Sequence, residues 1–370
     1  MLSFLLVERI KLDRRAFLIG STGMAMLAHL PSAIASSTDI EPYLTPAIAT
    51  KAPSKVLLEA ITNAGSRLVA VGQHGVIILS DDYGKTWIQA KVPVDVTLTC
   101  VEFVTPFRGW SAGHFGVILK TEDGGRSWEL QLDGIKANEL TLAAAKEATA
   151  QNSQVPGAAL ALRRSEFFMK GGPDLPFLSI LVLGTQKVIA FGAYRMTMIT
   201  TDGGKTWADW SLHIYDRLSN DIYDAVLADG NIYVVGGSGK VFLSKDDGNT
   251  FLPLSSPADV TLFGVLVSKN GSIITFGVAG SCFRSTDCGA SWMQVDLNIE
   301  DNLLAGRVLN SGDILIASQT GALFRSSDDG ASFSAINGPA SLSPYGFIQT
   351  TDENIVFVGN NGVTQASIGA

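Results

Sequence analysis

The sequence contains only three cysteines and four histidines among its 370 residues, and 17% of the residues are charged. An odd number of cysteines excludes a complete disulfide framework. Cys282 and Cys288 lie within one repeat and could pair in an oxidising compartment, with buried or inert thiols as the alternative. No cluster of His, Cys and acidic residues has the spacing of a metal site, and we expect no cofactor.

Basic residues are also scarce, since 27 Lys and Arg stand against 35 Asp and Glu and give a formal charge of −8. This balance provides no general electrostatic reason to bind nucleic acid or an anionic bilayer, although local basic patches remain possible. The 38 glycines and the frequent Val, Ile and Phe favour many short strands and turns. The composition therefore indicates an all-β fold.

The N-terminus has the order of regions that is typical of an export signal. Arg14 and Arg15 precede a short apolar segment rich in small residues, which ends in Ala-Ile-Ala at Ala35. The sequence RRAFL resembles a twin-arginine signal. The apolar segment is too short for a comfortable membrane span. We therefore predict an export signal at residues 1–35 and a mature protein in the periplasm, or in an equivalent lumen, without a stable membrane span.

One octet, TTDGGKTW at residues 200–207, occurs in similar form six times. The shared pattern is Asp-x-Gly-x-Ser/Thr-Trp/Phe, usually with Ser or Thr two residues before the Asp. Consecutive aspartates are 41, 79, 44, 41 and 41 residues apart. The six aspartates are Asp82, Asp123, Asp202, Asp246, Asp287 and Asp328. A short, mostly glycine-centred turn precedes each octet, and a seventh such turn lies at Gly359. Seven units of about 41 residues predict a seven-bladed β-propeller with four strands per blade.

The octet is predicted to form the hairpin between the third and fourth strands of each blade. Its Asp can accept hydrogen bonds from turn amides, its Gly permits positive φ, and its Trp or Phe can pack between neighbouring sheets. This interpretation makes the aspartates structural, and a catalytic or Ca²⁺-binding role is the alternative. Residues 39–50 are expected to close the ring as the missing fourth strand of the last blade. Six blades with a separate helical domain is the alternative architecture.

The interval of 79 residues contains one unit and about 38 further residues, which fall near residues 134–172. Ala137–Gln151 and Ala158–Met169 have helix-forming sequences. We therefore predict a helical insertion between the second and third blades of a propeller that spans residues 36–370. The insertion would emerge opposite the octets, either as a packed decoration or as a partner-binding element.

The octets resemble the Asp boxes of sialidase-type repeat proteins. The longer segment GWSAGHFGVILKTEDGGRSW, at residues 109–128, resembles the photosystem II stability/assembly factor family, and this resemblance covers about residues 52–366. It implies an exported or lumenal seven-bladed propeller that assists assembly and has no catalytic activity. We accordingly expect a monomeric accessory protein that binds a protein partner, as part of a membrane-associated complex, and that does not bind nucleic acid.

A carbohydrate-active hydrolase or a sugar-binding propeller is the alternative function, because glycosidases and lectin-like proteins also carry Asp boxes. Glycoside hydrolysis needs two facing carboxylates. The arginine-containing entry motif of sialidases is absent from the sequence, as are a phosphate-binding glycine loop and a nucleophile elbow in a suitable context.

The loops opposite the octets vary most between units, and we expect the recognition surface there. Arg195, Tyr215 and Arg217 are the first choices as binding hot spots, because Arg and Tyr are enriched at such positions. The candidate partner-binding residues are His74, His114, Phe115, Arg163, Arg164, Tyr194, Arg195, His213, Tyr215 and Arg217. The alternative is that these are ordinary exposed turn residues.

Overall fold

A computed structural model describes residues 41–150, 157–214, 220–339, 343–350 and 354–367. The expected export signal and its cleavage position lie outside these residues. Among the helices in these ranges, none is long and apolar enough to cross a membrane.

The described strands form seven antiparallel sheets in which consecutive strands are neighbours. The first sheet contains β1 (Leu58–Ala64), β2 (Arg67–Gly72), β3 (Ile77–Ser80) and β4 (Ile88–Gln89). The second contains β5 (Leu98–Phe103), β6 (Gly109–Gly113), β7 (Ile118–Thr121) and β8 (Glu129–Leu132). The third contains β9 (Phe177–Val182), β10 (Val188–Gly192), β11 (Thr197–Thr200) and β12 (Ala208–Asp209).

The remaining sheets repeat this plan, except that the last has three strands in the described residues. The fourth contains β13 (Ile222–Ala228), β14 (Asn231–Gly236), β15 (Val241–Ser244) and β16 (Leu252–Pro253). The fifth contains β17 (Leu262–Val267), β18 (Ile273–Gly277), β19 (Cys282–Ser285) and β20 (Met293–Gln294). The sixth contains β21 (Leu303–Val308), β22 (Ile314–Ser318), β23 (Leu323–Ser326) and β24 (Ser334–Ile336). The seventh contains β25 (Pro344–Gln349), β26 (Ile355–Gly359) and β27 (Gly362–Ala366).

The seven sheets form a closed ring around their first strands. Each first strand contacts the first strands of both neighbouring sheets, and β25 contacts β1. Seven apolar clusters fill the ring, one between each pair of neighbouring sheets. The core is therefore distributed over seven interfaces, and each sheet is stabilised by burying apolar side chains against two others.

The ring closes by packing between the first and last sheets. The cluster that joins them contains Leu58 and Leu68 of the first sheet with Ile348, Val356 and Val358 of the last, all buried. The expectation that residues 39–50 supply a fourth strand to the last sheet is therefore wrong for residues 41–50, which form no strand.

The described segment at residues 41–50 instead lies beside the chain that leaves the first sheet. The amide of Ala47 donates to the carbonyl of Val92 (3.0 Å), and the amide of Asp95 donates to the carbonyl of Pro42 (2.8 Å). Pro42 and Pro46 explain why this segment cannot serve as a regular ladder strand, because proline has no N–H group to donate.

The octet turns share one hydrogen-bond pattern. In the third sheet, Asp202 Oδ1 accepts from the Thr200 hydroxyl and from the Thr206 amide (both 2.9 Å), and Oδ2 accepts from the Thr206 hydroxyl (2.6 Å). The Thr206 hydroxyl and amide lower the pKa of Asp202 to about 2. The same three bonds form at Asp82, Asp123, Asp246, Asp287 and Asp328.

The aromatic residue that ends each octet packs between its own sheet and the preceding one. Trp128 lies in the cluster between the first and second sheets, and Trp207 lies in the next. The other four are Phe251, Trp292, Phe333 and, at the junction of the last and first sheets, Trp87. The octet therefore combines a capped turn with an aromatic wedge between sheets.

Two helices, α1 (Gly134–Ala150) and α2 (Ala158–Gly171), lie between β8 and β9. They pack against each other, and α1 also contacts β12. The three cysteines are free: Cys100 and Cys282 are buried, and Cys288 is exposed. A disulfide between Cys282 and Cys288 is therefore not formed, and burial raises the pKa of both Cys100 and Cys282 to about 12.

We predict that Asp123→Ala lowers the free energy of unfolding by about 1–2 kcal/mol, because it removes the cap of one octet turn and loosens the wedge at Trp128. Urea unfolding of both proteins measures this loss. Glu122→Ala is the matched control, because this neighbouring carboxylate is half exposed and pairs at the surface with Lys120 and Arg108; its loss should cost less than about 1 kcal/mol. Equal losses in the two variants would contradict the role assigned to Asp123.

Candidate functional site

A tight turn joins the second and third strands, and in the first five sheets the middle residue of this turn has left-handed backbone geometry without being glycine; in the third sheet the next residue, Arg195 (φ 62°), has it too. The middle residues are His74, Phe115, Tyr194, Ser238 and Ala279, with φ values of 56°, 57°, 52°, 54° and 50°. A non-glycine residue in this conformation is destabilised by roughly 1–2 kcal/mol. Strain of this kind persists only where the surrounding structure holds it in place, and it also occurs in octet turns, at Tyr83, Asp247, Cys288 and Asp329.

Bulky side chains occupy the strained position only in the first three of these five sheets. The His74 side chain is 74% exposed, and its Nδ1 lies 2.9 Å from Asp95 Oδ1. Tyr194 is 52% exposed, and its ring centroid lies 5.4 Å from that of Phe168 on α2. Phe115 is half-buried against Tyr43, with ring centroids 6.1 Å apart. The first three sheets thus present an imidazole and two aromatic rings at their turns.

His114 lies beside Phe115 in the same turn and is exposed at its surface. Partial burial of its ring lowers its pKa and so favours the neutral imidazole. Of the residues expected on this side, His74, His114, Phe115 and Tyr194 are therefore all found at the turns between second and third strands.

A central channel of about 630 Å³ runs among the first strands of all seven sheets. Each first strand has a register shift near its start, and the residue at each shift lines the channel. These residues are Glu59, Thr99, Leu178, Tyr223, Phe263, Leu304 and Tyr345. The repeat pattern of the sequence gives no indication of this channel.

Three charged side chains in the channel bind the next sheet around the ring. Glu102 Oε2 accepts from the amide of Val182 (3.0 Å), which joins the second and third sheets. Asp224 joins the fourth and fifth sheets by accepting from the amide of Val265 (3.0 Å). Similarly, Arg307 Nε donates to a carbonyl of the seventh sheet, at Phe347 (3.0 Å). These charges satisfy backbone groups that have no neighbouring strand.

The fold was compared with known proteins. No protein-family model and no curated protein matches the chain. Among solved structures, it is similar to YCF48 bound to D1 peptide, with 15% identity and a TM-score of 0.62 over 88% of this chain and 100% of that one. It is also similar to YCF48 from Cyanidioschyzon merolae (14%, TM-score 0.60, covering 85% and 96%). A third similar structure is the WD40 β-propeller domain of Doa1 (12%, TM-score 0.60, covering 88% and 95%).

The protein is a β-propeller. This confirms the predicted all-β propeller, and the seven sheets are consistent with seven blades. The similarity to two YCF48 structures agrees with the resemblance that residues 109–128 indicate. At these identities, the similarity establishes the fold of the propeller. The fold alone does not determine its activity.

Arg195 does not have the exposure that its assignment as a binding hot spot requires. Its residue surface is only 6% exposed, and one of its terminal guanidinium nitrogens donates to the carbonyl of Ile214 (3.2 Å). The side chain turns inward from the turn and contributes to the packing of the third blade. The expectation that Arg195 lies on the recognition surface is therefore wrong, and its replacement by Ala should destabilise the propeller.

His213 lies beside an octet turn, away from His74 and His114. Its ring stacks on Trp210, with centroids 3.5 Å apart, and its Nδ1 lies 2.7 Å from the carbonyl oxygen of Asn249 in the octet of the fourth blade. The expectation that it shares a surface with the other two histidines is wrong, because the chain after β12 turns back along the edge of the fourth blade. The two further candidates, Tyr215 and Arg217, lie outside the described residues.

The two arginines of α2 have different surroundings. Arg163 is exposed, whereas Arg164 is half-buried and faces the third blade. Burial raises the pKa of Asp209 there, and this effect is opposed by hydrogen bonds from Ser211 and Thr141 and by the charge of Arg164. Arg164 therefore helps to hold the helices on the blade, and only Arg163 is available to a partner.

Two carboxyl groups in the channel have pKa values that are raised toward neutrality. Burial raises the pKa of Glu102 to about 7 and that of Asp224 to about 6, while the charge of Arg307 opposes both shifts. No group of three or more His, Cys, Asp and Glu side chains among the described residues could hold a metal ion. The channel can therefore exchange protons and bind polar groups, and it offers no ready ligand set for a metal.

We predict that the parent loses stability between pH 5 and pH 8 and that the Glu102→Gln variant loses less. The Glu102 carboxyl group of the parent holds its proton more tightly in the folded protein than in the unfolded chain. Its contribution to the free energy of unfolding is therefore fully present below about pH 4.5 and is lost as the pH rises through about 7. Urea unfolding at the two pH values measures the difference. Glu129→Gln, on the outer strand β8, is the control, and an identical pH dependence in parent and Glu102→Gln would refute the prediction.

Proposed function

We propose that this propeller is a non-catalytic accessory protein that binds a protein partner through the turns of its first three blades. The observation that carries the proposal is the strained backbone at His74, Phe115 and Tyr194, where three consecutive blades place bulky side chains on one side of the ring. Glycine would be unstrained at these positions, and aromatic side chains are frequent at the centres of protein interfaces.

Two further observations support a protein partner. The similar structure of YCF48 contains a bound D1 peptide, so a propeller of this shape can hold a peptide segment. The sequence of residues 109–128 resembles the photosystem II stability/assembly factor family. We therefore propose that the partner belongs to a membrane-associated complex, that the octets are structural Asp boxes, and that the helices at residues 134–172 are an insertion beside the binding surface.

A sugar-binding or glycoside-hydrolysing propeller is the second candidate function. It is favoured by the channel, whose carboxyl groups of raised pKa include Glu102 and Asp224. Both groups already accept hydrogen bonds from the next blade, which a purely structural role explains. Release of sugar from glycan substrates by the pure protein, abolished by Glu102→Gln, would establish this function in place of the first.

We predict that combining His74→Gly with Tyr194→Gly abolishes partner capture and changes the free energy of unfolding by less than about 1 kcal/mol. Glycine relieves the left-handed strain, which offsets its larger entropy in the unfolded chain. Crosslinking and pull-down from solubilised membranes would identify the proteins that the parent enriches, and thermal unfolding would report stability.

The matched control is Ser238→Gly, which makes the same backbone change in the fourth blade. It should leave capture intact. A double variant that enriches the same proteins as the parent would disprove the assignment of the surface, and so would a control variant that loses them.

We propose that residues 1–35 are an export signal and that the mature propeller begins at Ser36 in the periplasm or an equivalent lumen. The order of basic, apolar and small residues supports this proposal. N-terminal sequencing of the exported protein should give Ser36, and Arg14→Lys with Arg15→Lys should block export by the twin-arginine route. An intact Met1 on most of the exported protein would contradict cleavage.

A further inference from the structure

The outer side of helix α2 carries apolar and basic residues together. Leu160 is 53% exposed and Phe167 is 69% exposed, and Arg163 and Lys170 are exposed beside them. The opposite side is buried, at Ala158, Ala161 and Ser165. Exposed apolar residues also occur elsewhere on the described surface, singly at Leu252 and Met293 and together at Leu44 and Ile48. Single exposed apolar residues are ordinary, whereas a cluster calls for an explanation.

The four residues form two parallel rows. Leu160 and Phe167 are seven residues apart, as are Arg163 and Lys170, so each pair is separated by about 10 Å along the helix axis. Because seven residues complete nearly two turns, both rows run almost along the axis. A helix with this arrangement can lie flat on a surface, with one apolar and one cationic row in contact with it.

The two cations have no acidic partner within the described residues. Among the described residues, the cations Lys136, Lys187 and Arg108 form ion pairs with Glu139, Asp247 and Glu122, whereas Lys85 and Lys205 are, like Arg163 and Lys170, exposed without one. Arg163 and Lys170 are therefore local positive charges on a protein whose formal charge is −8. Glu166 is also exposed on α2, and it borders the cationic row. The helix retains a positive balance, with Arg163, Arg164 and Lys170 against one acidic residue.

The shape of this side favours a planar surface. A cavity of about 10 Å³ lies under the buried side of α2, among residues such as Asn138, Ser165 and Met196. The outer side has projecting side chains, and a bilayer accommodates such projections because apolar groups enter below the headgroups while Lys and Arg remain among them. Anionic headgroups then complement the two free cations.

We propose that the outer side of α2, defined by Leu160, Arg163, Phe167 and Lys170, is a docking surface for an anionic lipid bilayer. This proposal goes beyond the protein-binding function, because it assigns a second surface to a different partner. The helix lies flat at the headgroup level, with Leu160 and Phe167 inserted. The contact between Phe168 and Tyr194 places this surface next to the protein-binding turns.

The test places a polarity-sensitive fluorophore on the full chain beside the proposed surface. Cys288→Ser removes the exposed thiol, and Cys100 and Cys282 are buried. Ala159→Cys then introduces a labelling site on the exposed side of α2 without altering the four docking residues, and Ala331→Cys introduces a matched site in the octet of the sixth blade. Vesicles of phosphatidylcholine with and without phosphatidylglycerol are added, and the emission of each labelled protein is recorded.

The expected result is a blue shift at position 159 that requires phosphatidylglycerol, with no shift at position 331. Arg163→Gln with Lys170→Gln should weaken this binding by roughly thirtyfold, since each cation contributes about a factor of five. A shift at both positions, or a chain that sediments with vesicles without a shift at 159, would overturn the proposal. Burial of position 159 only when a protein partner is present would make this a protein surface and would also overturn it.

These outcomes are independent of partner capture, because the His74→Gly and Tyr194→Gly variant leaves the four docking residues intact. Failure of lipid docking with normal capture would refute the lipid surface alone. Failure of capture with a normal shift at position 159 would refute the protein-binding function alone.

Discussion

The ring depends on the aromatic side chain that ends each octet. In six of the seven described interfaces this residue lies between its own blade and the preceding one, as Trp128 does beside the buried Val69 and Leu79. The aspartate of the octet fixes the turn through three hydrogen bonds. The turn then determines where the aromatic residue enters the interface. The interface before the last blade has no octet residue and is packed instead around Phe347 and Phe357. The repeat therefore supplies the aromatic side chain that fills the interface between neighbouring blades.

The centre of the ring is governed by a different constraint. First strands have one edge without a neighbouring strand, and the polar groups along that edge must still form hydrogen bonds. Glu102, Asp224 and Arg307 meet part of this need by reaching to the next blade. Placing carboxyl groups in this confined space raises their pKa toward neutrality, so the contacts that hold the blades together also make the stability of the ring sensitive to pH.

The two sides of the ring serve different purposes. The octets form nearly identical turns with the same bonds, and identical turns offer little basis for recognising a particular partner. In the first five blades, the turns between second and third strands share one backbone geometry and carry different side chains, which include His74, Phe115 and Tyr194 at strained positions. Helix α2 extends this varied side through the contact of Phe168 with Tyr194. A protein partner and a bilayer could thus be held by adjacent surfaces of the same ring.

The sequence by itself determined the features that arise from local chemistry. The period of about 41 residues, the capped octet turns and the all-β character depend on residues close together in the chain, and so the number of sheets could be predicted. The positions of His74, Phe115 and Tyr194 followed from the same repeat.

Only the tertiary structure decided how these units meet. Residues 41–50 follow the first blade, because Pro42 and Pro46 interrupt a ladder and the last blade closes by packing on the first. Arg195 turns inward because the carbonyl of a later residue, Ile214, accepts a hydrogen bond from its guanidinium group. The channel charges Glu102 and Arg307 are far apart in the chain and come together only when seven first strands surround one axis. A local pattern cannot specify such contacts, because they depend on where distant segments lie in three dimensions.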